Sequence, residues 1–348
     1  MASTQRKERP TLVPTSPEEA YRAAREGVGL RDASGGGWLR LQGKDALDLL
    51  HRLSTNDLLP LQQGQVAPTV LTNNKGRVID HLKVYRLEDH LLVSTSPGNA
   101  QKVAEWIDLY TFIEESTVTD VTSETAVLQL LGPQAPPFVE SLVGSEGPGI
   151  QRLVETRLAE IPVLIARDDA LGVPAYDLVV PAEDANTLAD WLLQQGQPWG
   201  LRAIGEEVFE ALRIQAAMPL YGREISEKVN PLEAGLRPSI SFTKGCYIGQ
   251  EVVLRLDTYQ KVQRHLVRLD LEGEGVPSED ESLMIGGKPA GTLTSVARVP
   301  GEGRVVGLGI VRAAYDQEGQ QVEVVSDGRR WVGRLHRLEQ YTREGTGS

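Results

Sequence analysis

A chain of 348 residues with 40% hydrophobic and 24% charged residues has the composition of an ordinary folded protein, with length enough, at roughly 150 residues per domain, for two or three domains. Its formal net charge of −12 weighs against broad, charge-driven binding to nucleic acid or anionic membranes. No apolar run approaches the roughly 18 residues of a membrane-spanning helix, and a single cysteine excludes an intramolecular disulfide and a CxxC-type metal site.

The opening stretch, MASTQRKERP, lacks the apolar segment of a secretory signal, so a cytoplasmic protein is expected. Ser16-Pro17-Glu18-Glu19 is a capping signature with proline at the first helical position, and it predicts a short helix ending near Gly27. A second helix is expected from Lys44 to about Leu53. RVIDHLKVYRL and HLLVSTS, separated by Glu88-Asp89, predict a hairpin, and AQKVAEWIDLY a following helix. AVLQLLG reads as a strand leading into a Pro/Gly-rich stretch that runs to Gly149. IPVLIAR and AYDLVVP read as strands, ANTLADWLLQQ as a helix, and 203–217 as a helix with Ile204, Val208, Ala211, Leu212 and Gln215 along one face. From about 263, VRLDLEG, AGTLTSVARV, RVVGLGIVRA, QVEVVS and RWVGRLHRL are short strands split by Gly-rich turns, the pattern of a small β-barrel. Helices and strands alternate without a strict βαβ rhythm, which points to an α+β fold.

Neither GxGxxG nor GxxxxGK[ST] follows a strand, and His51, His81, His90, His265 and His336 lie far apart, so no nucleotide loop or metal set is expected. Two features stand out. Between 213 and 264 the basic residues Arg213, Arg223, Lys228, Arg237, Lys244, Arg255, Lys261 and Arg264 outnumber Glu224, Glu227, Glu233, Glu251 and Asp257. That excess is either a solvated mixed face or a local pocket for a carboxylate- or phosphate-bearing ligand. The second is FTKGCYIGQEVV, residues 242–253, which holds the only cysteine. Lys244 stands two residues before Cys246, where it can stabilise a thiolate. Gly245 and Gly249 allow a tight turn, and Gln250 and Glu251 add hydrogen-bonding groups. The bland alternative is a buried cysteine with Tyr247-Ile248 starting a strand.

On strand RVIDHLKVYRL the period of two places Val78, Asp80, Leu82 and Val84 on one face and Ile79, His81, Lys83 and Tyr85 on the other. Asp80 lies on the more apolar stripe, as a buried structural acid would. His81, with Lys83 and Tyr85 beside it, is better placed to line a polar site.

ALRIQAAMPLYGREI, NPLEAGL and SFTKGCYIGQEVV resemble, in that order, the central signature of the folate-dependent aminomethyltransferase superfamily, which includes the glycine cleavage T-protein. GLRDASGGGWLRLQGKDALDLLHRLSTNDL and GRVIDHL resemble its opening, and LLGPQAP its middle. The string KGCYIGQE is similar to the hallmark of one branch, the YgfZ family of folate-binding proteins that act in iron–sulfur cluster assembly or repair. The resemblance implies an aminomethyltransferase-like α+β fold, two α+β domains around a central cavity plus a small C-terminal β-barrel. The expected segments are 11–125, completed by part of 200–262, then 126–262 with KGCYIGQE, then the barrel at 263–340. It also implies tetrahydrofolate or a one-carbon derivative as cofactor. Cys246 and Lys244 would carry the chemistry, and Asp80, His81, Tyr85, Gln215, Arg237, Tyr247, Gln250 and Glu251 would hold the folate.

Two departures matter. Transferases carry two consecutive carboxylates where this chain has Asp80 and His81. A neutral imidazole can hydrogen-bond a folate nitrogen but supplies no fixed negative charge. The family's L-R-x-E-A-G glutamate, which binds the pterin edge, is Gln215 here, and the lost charge assistance is worth about 1–2 kcal/mol. The implied function is a YgfZ-like, tetrahydrofolate-binding role in iron–sulfur cluster maintenance using Cys246, with tRNA modification affected indirectly. The expected partners are folate and iron–sulfur client or assembly proteins, with neither stable nucleic-acid binding nor a membrane. The alternatives are a folate-dependent aminomethyl or one-carbon transferase, and a folate-responsive regulator without cysteine chemistry.

Overall fold

A computed structural model describes residues 12–13 and 15–338; the N-terminal decapeptide and the outer limits at 11 and 340 lie outside these. The chain forms two compact units. One comprises residues up to Leu50, Leu58–Pro68 and Leu82–Val208; the other comprises His51–Asp57, Thr69–His81 and the chain from Phe209 onward.

In chain order the elements are α1 (Pro17–Glu26), β1 (Gly29–Asp32), β2 (Gly37–Gln42), α2 (Ala46–Leu53), β3 (Gln65–Thr72), β4 (Val78–Arg86), β5 (His90–Thr95), α3 (Ala100–Leu109), β6 (Thr117–Asp120), β7 (Thr125–Leu131), α4 (Ala135–Val143), β8 (Leu153–Leu158), β9 (Ile161–Arg167), β10 (Ala175–Pro181), α5 (Ala185–Gln195), β11 (Arg202–Ala203), α6 (Glu206–Gln215) and α7 (Gln250–Thr258). Six further strands follow: β12 (Arg264–Glu272), β13 (Ser282–Ile285), β14 (Lys288–Arg298), β15 (Val305–Arg312), β16 (Gln321–Ser326) and β17 (Arg329–Arg337).

The first unit contains a six-stranded sheet of order β11-β1-β7-β10-β9-β8. The five-stranded sheet has the order β3-β4-β5-β2-β6. Unit boundaries fall inside α2, β3, β4 and α6, so these elements run from one unit into the other. Strand β7 is buried on both faces, with Leu128 and Leu130 in one apolar cluster and Val127 in another. That accounts for an apolar run broken only by Gln129, whose buried amide donates to Asp177 at 2.7 Å. The Ser16 hydroxyl accepts the Glu19 amide at 3.3 Å, so the capping signature starts α1 as expected. The β4–β5 hairpin pairs Lys83 with Ser94 through Arg86 with Leu91.

The Pro/Gly-rich stretch before Gly149 contains a helix that composition obscured. Pro136 and Pro137 lie in the first turn of α4, where a missing amide costs nothing, and Gly144 closes it in the left-handed conformation at φ 69°. The C-terminal strands close into a barrel of order β12-β15-β14-β13-β16-β17. Five of these are the expected strands. The sixth, β13, is four residues long and carries a bulge at Leu283/Met284 against β14, too short to show as alternation. Among the described residues, no helix is long and apolar enough to cross a membrane.

Closure of the barrel depends on Gly333, paired with Leu271 across β12 and β17. A Cβ there would lie 2.0 Å from the Asp270 carbonyl oxygen. Gly333→Ala is expected to destabilise the barrel by about 1–3 kcal/mol, the scale of overpacking. Hydrogen exchange checks this: protection should fall across β12 and β17 while the six-stranded sheet keeps its own.

Candidate functional site

Strand β4 brings the two residues of the carboxylate step to the second unit. Asp80 is fully buried with Val78 and Leu82, and its carboxylate accepts the backbone amide of His81 at 2.8 Å. His81 is half-buried on the opposite face, and its Nε2 lies 2.9 Å from the Ser239 hydroxyl. Ser239 ends the short turn that begins at Arg237. The strand therefore presents the imidazole and withdraws the acid, as its period of two suggested. Gln215 is half-buried at the C-terminal end of α6.

The NPLEAGL segment is organised by Glu233, which is buried. Its carboxylate accepts the Asn230 amide at 3.1 Å while Asn230 Oδ1 accepts the amides of Leu232 and Glu233 at 3.0 Å. This reciprocal pairing has the logic of a capping box. Arg77 and Arg264 close on the same carboxylate at 3.2 and 3.0 Å.

Cys246 is exposed, on a turn fixed from both sides. Lys244, only 9% exposed, donates to the carbonyl oxygens of His51, Ser54 and Asn56 at 2.6, 2.7 and 2.8 Å. An ammonium has three donors, and all three are committed to carbonyls. This corrects the expectation that Lys244 stabilises the thiolate directly: it straps the turn to the 51–57 segment instead. Burial pushes the Lys244 amine down to about 8, with Asp57 opposing the shift. On the other side, the Thr72 hydroxyl donates to the Ile248 carbonyl at 2.5 Å. Gly249 adopts φ 85°, and a Cβ there would lie 2.5 Å from the Asn73 carbonyl oxygen. Only glycine meets both demands.

Tyr247-Ile248 does not start a strand. The left-handed Gly249 ends the turn and opens α7, while Gln250 Nε2 reaches back to the Gly245 carbonyl at 3.2 Å. Glu251, exposed in the first turn of α7, and Arg255 in its last complement the helix dipole. Tyr247 is buried beneath Lys244, whose Nζ lies 5.3 Å from the ring centroid. Its hydroxyl is buried without a hydrogen-bond partner among the described residues, and desolvation drives its pKa upward.

Two expectations need correction. Most of the basic excess at 213–264 is consumed internally. Arg213, fully buried, binds Glu210 at 2.7 Å and the Ser295 hydroxyl at 2.7 Å, and Arg223 binds Glu279 at 3.0 Å. Arg237 pairs with Asp257 of α7 and covers the Phe242 ring at 4.4 Å. Tyr85 falls in the first unit, 1% exposed, with its ring 5.5 Å from that of Trp38 in an apolar cluster. It is a core residue there, not a ligand-facing one. Beside it, Lys83 binds Asp177 at 3.2 Å and also Asp168. Although burial pulls its pKa down, Asp177 and Asp168 hold it well up. Ser239 and Thr72 were missed because nothing in their local sequence distinguishes them. The carbonyls of His51, Ser54 and Asn56 were missed because a backbone acceptor leaves no trace in residue identity.

Residues 6–244 match the GCVT N-terminal domain, and residues 264–339 match the glycine cleavage T-protein C-terminal barrel domain. The chain belongs to the glycine cleavage T-protein family. It is 33% identical to the aminomethyltransferase of Symbiobacterium thermophilum over 91% of this chain and 87% of that one. It is 31% identical to the aminomethyltransferase of Caldanaerobacter subterraneus subsp. tengcongensis over 88% of this chain and 82% of that one. The fold is that of the crystal structure of glycine cleavage system aminomethyltransferase T from Bartonella henselae, with a TM-score of 0.83 at 23% identity, covering 95% of this chain and 91% of that one. The T-protein family uses tetrahydrofolate as cofactor or substrate. Among the described residues, no group of three or more His, Cys, Asp or Glu side chains is placed to hold a metal ion.

Lys244→Met removes three charge-assisted hydrogen bonds to backbone carbonyls, and is expected to cost about 2–4 kcal/mol in urea unfolding. The Lys244 pKa in the folded protein, about 8, lies below that of a free lysine, 10.5. Between those values the unfolded chain holds a proton that the folded chain has released, so this group's contribution to stability rises with pH across that window. The stability gap between the native chain and Lys244→Met should therefore widen from pH 7 to pH 9.5. A gap that narrows would mean that the three carbonyl hydrogen bonds, which favour the ammonium, outweigh burial.

Proposed function

We propose that this chain binds tetrahydrofolate or a one-carbon derivative and acts in the assembly or repair of iron–sulfur clusters in client enzymes, as in the YgfZ family that KGCYIGQE resembles. The observation that carries this reading is Cys246, the only cysteine of the chain, exposed on a turn held by Lys244 and Thr72. A thiolate there supplies one ligand to a cluster that takes about four, so a partner protein, a second copy or a small thiol supplies the rest. Any effect on tRNA modification runs through client enzymes and needs no nucleic-acid contact. The division into 11–125, 126–262 and 263–340, with part of 200–262 completing the first, is likewise our proposal.

The residues of the second unit fit a reduced folate. The buried hydroxyl of Tyr247 is a donor without an acceptor among the described residues, His81 offers a ring nitrogen beside Ser239, and Gln215 offers an amide where the family's glutamate meets the pterin. Bound folate would supply nitrogens able to accept or release a one-carbon unit. Asp80 is buried with its carboxylate accepting the His81 amide, and His81 contributes a hydrogen bond without a fixed charge.

A second reading is aminomethyl or one-carbon transfer to folate. It is favoured by the relatives, which are named aminomethyltransferases and match across most of their length; the comparisons support it more than they support the iron–sulfur role. Against it stand His81 and Gln215 at positions where transfer chemistry calls for carboxylates.

Two assays separate the readings. In a strain lacking the protein, the native chain should restore iron–sulfur enzyme activity and Cys246→Ala should not. The purified chain should release no tetrahydrofolate-dependent ammonia from an aminomethyl-lipoyl carrier. Full rescue by Cys246→Ala, together with ammonia release that is lost in His81→Ala, would establish the transferase instead.

A further inference from the structure

Among the described residues, the most exposed large apolar side chains are adjacent: Ile113 at 91% and Phe112 at 81%, with Leu109 one helical end away at 59%. Leu109 ends α3, and Phe112 and Ile113 lie in its connection to β6, in the first unit. Scattered exposed apolar residues need no explanation, but a contiguous set held in place does. This set is held. The Glu114 carboxylate accepts the backbone amides of Phe112 and Ile113 at 2.9 and 3.1 Å. The Thr111 hydroxyl donates to the Ile107 carbonyl at 2.9 Å, and the Tyr110 ring lies edge-on against Trp106 at 5.2 Å. The next residue, Glu115, is anchored through its amide to Asp45 at 2.8 Å. The backbone that turns Phe112 and Ile113 outward is thus ordered before any partner arrives, which removes much of the entropic cost of docking.

The surroundings are mainly acidic, with the Lys44 ammonium paired to the Glu115 carboxylate. Residues 105–120 contain Glu105, Asp108, Glu114, Glu115 and Asp120 and no lysine, arginine or histidine. A two-fold contact between copies through this patch would set the acidic rim against itself, and an anionic membrane surface would repel it. We propose that Leu109, Phe112 and Ile113 form a docking knob for a partner protein whose apolar contact face is edged by lysine and arginine. The knob serves either reading of the folate chemistry and depends on neither.

The test uses the full chain and a fluorescein-labelled amphipathic peptide with leucines on one face and lysines on the other, with a leucine/glutamate twin as control. Anisotropy should report binding of the leucine/lysine peptide, weakened by added salt and by about tenfold or more in Phe112→Ser/Ile113→Ser, the scale of a lost interface anchor. The twin should not bind. Both substitutions are at exposed positions, so thermal melting should be unchanged. Equal binding by the native chain and the double variant would overturn the proposal, since the acidic net charge alone would then explain it. So would dimers in light scattering that vanish in the double variant, which would make the occupant a second copy. Co-sedimentation with phosphatidylcholine vesicles that depends on Phe112 and Ile113 would overturn it in favour of a lipid surface.

Discussion

The ammonium of Lys244, buried and shared among the backbone carbonyls of His51, Ser54 and Asn56, is the contact on which the arrangement around Cys246 depends. A buried lysine is costly unless its donors are satisfied. Here they are, by carbonyls at the end of α2 and in the following loop. The arrangement solves two problems together: it gives an internal cation its partners and ties a sequence-distant segment to the cysteine turn. Thr72 and Gly249 complete the restraint from the 69–81 segment. The sulfur is exposed on a turn that is otherwise fixed, a combination suited to repeated contact with a partner or ligand.

The composition of the second unit follows from those restraints. Residues 51–57 and 69–81 leave the N-terminal part of the chain and join the region after 209. Glu233, with Arg77 on one side and Arg264 on the other, links such a returning segment to the first barrel strand. Asp80 and His81 arrive by the same route, so the strand that carries the half-buried imidazole belongs with the cysteine turn. Buried ion groups of this kind fix geometry more than they add stability. Arg213, with Glu210, Glu224 and Ser295, plays the same part between α6 and the barrel.

Much of the fold was legible because its signals are local. The α1 cap, the β4–β5 hairpin and most of the barrel follow from caps, alternation and turn glycines. Helix α4 was hidden because proline in a first turn resembles proline in a loop until the following apolar spacing is weighed. In the candidate site, the opposite facing of Asp80 and His81 followed from strand period. The role of Lys244 did not, because its partners are backbone carbonyls nearly two hundred residues away in sequence. Charge counting also misled: the basic excess at 213–264 became ion pairs, since a sequence tally cannot tell a cation facing a ligand from one facing Glu210 or Asp257. Tyr85 shows the limit of alternation, because its face of β4 is covered by Trp38 and its neighbours.

In our proposal a T-protein scaffold binds reduced folate while the Cys246 sulfur works separately from that pocket. Calorimetric titration of tetrahydrofolate into the anaerobic full-length protein, repeated on Cys246→Ala, tests it most directly. Saturable binding of equal affinity is expected in the two proteins. Absence of saturable binding to the native chain, or its loss with the cysteine, would contradict it.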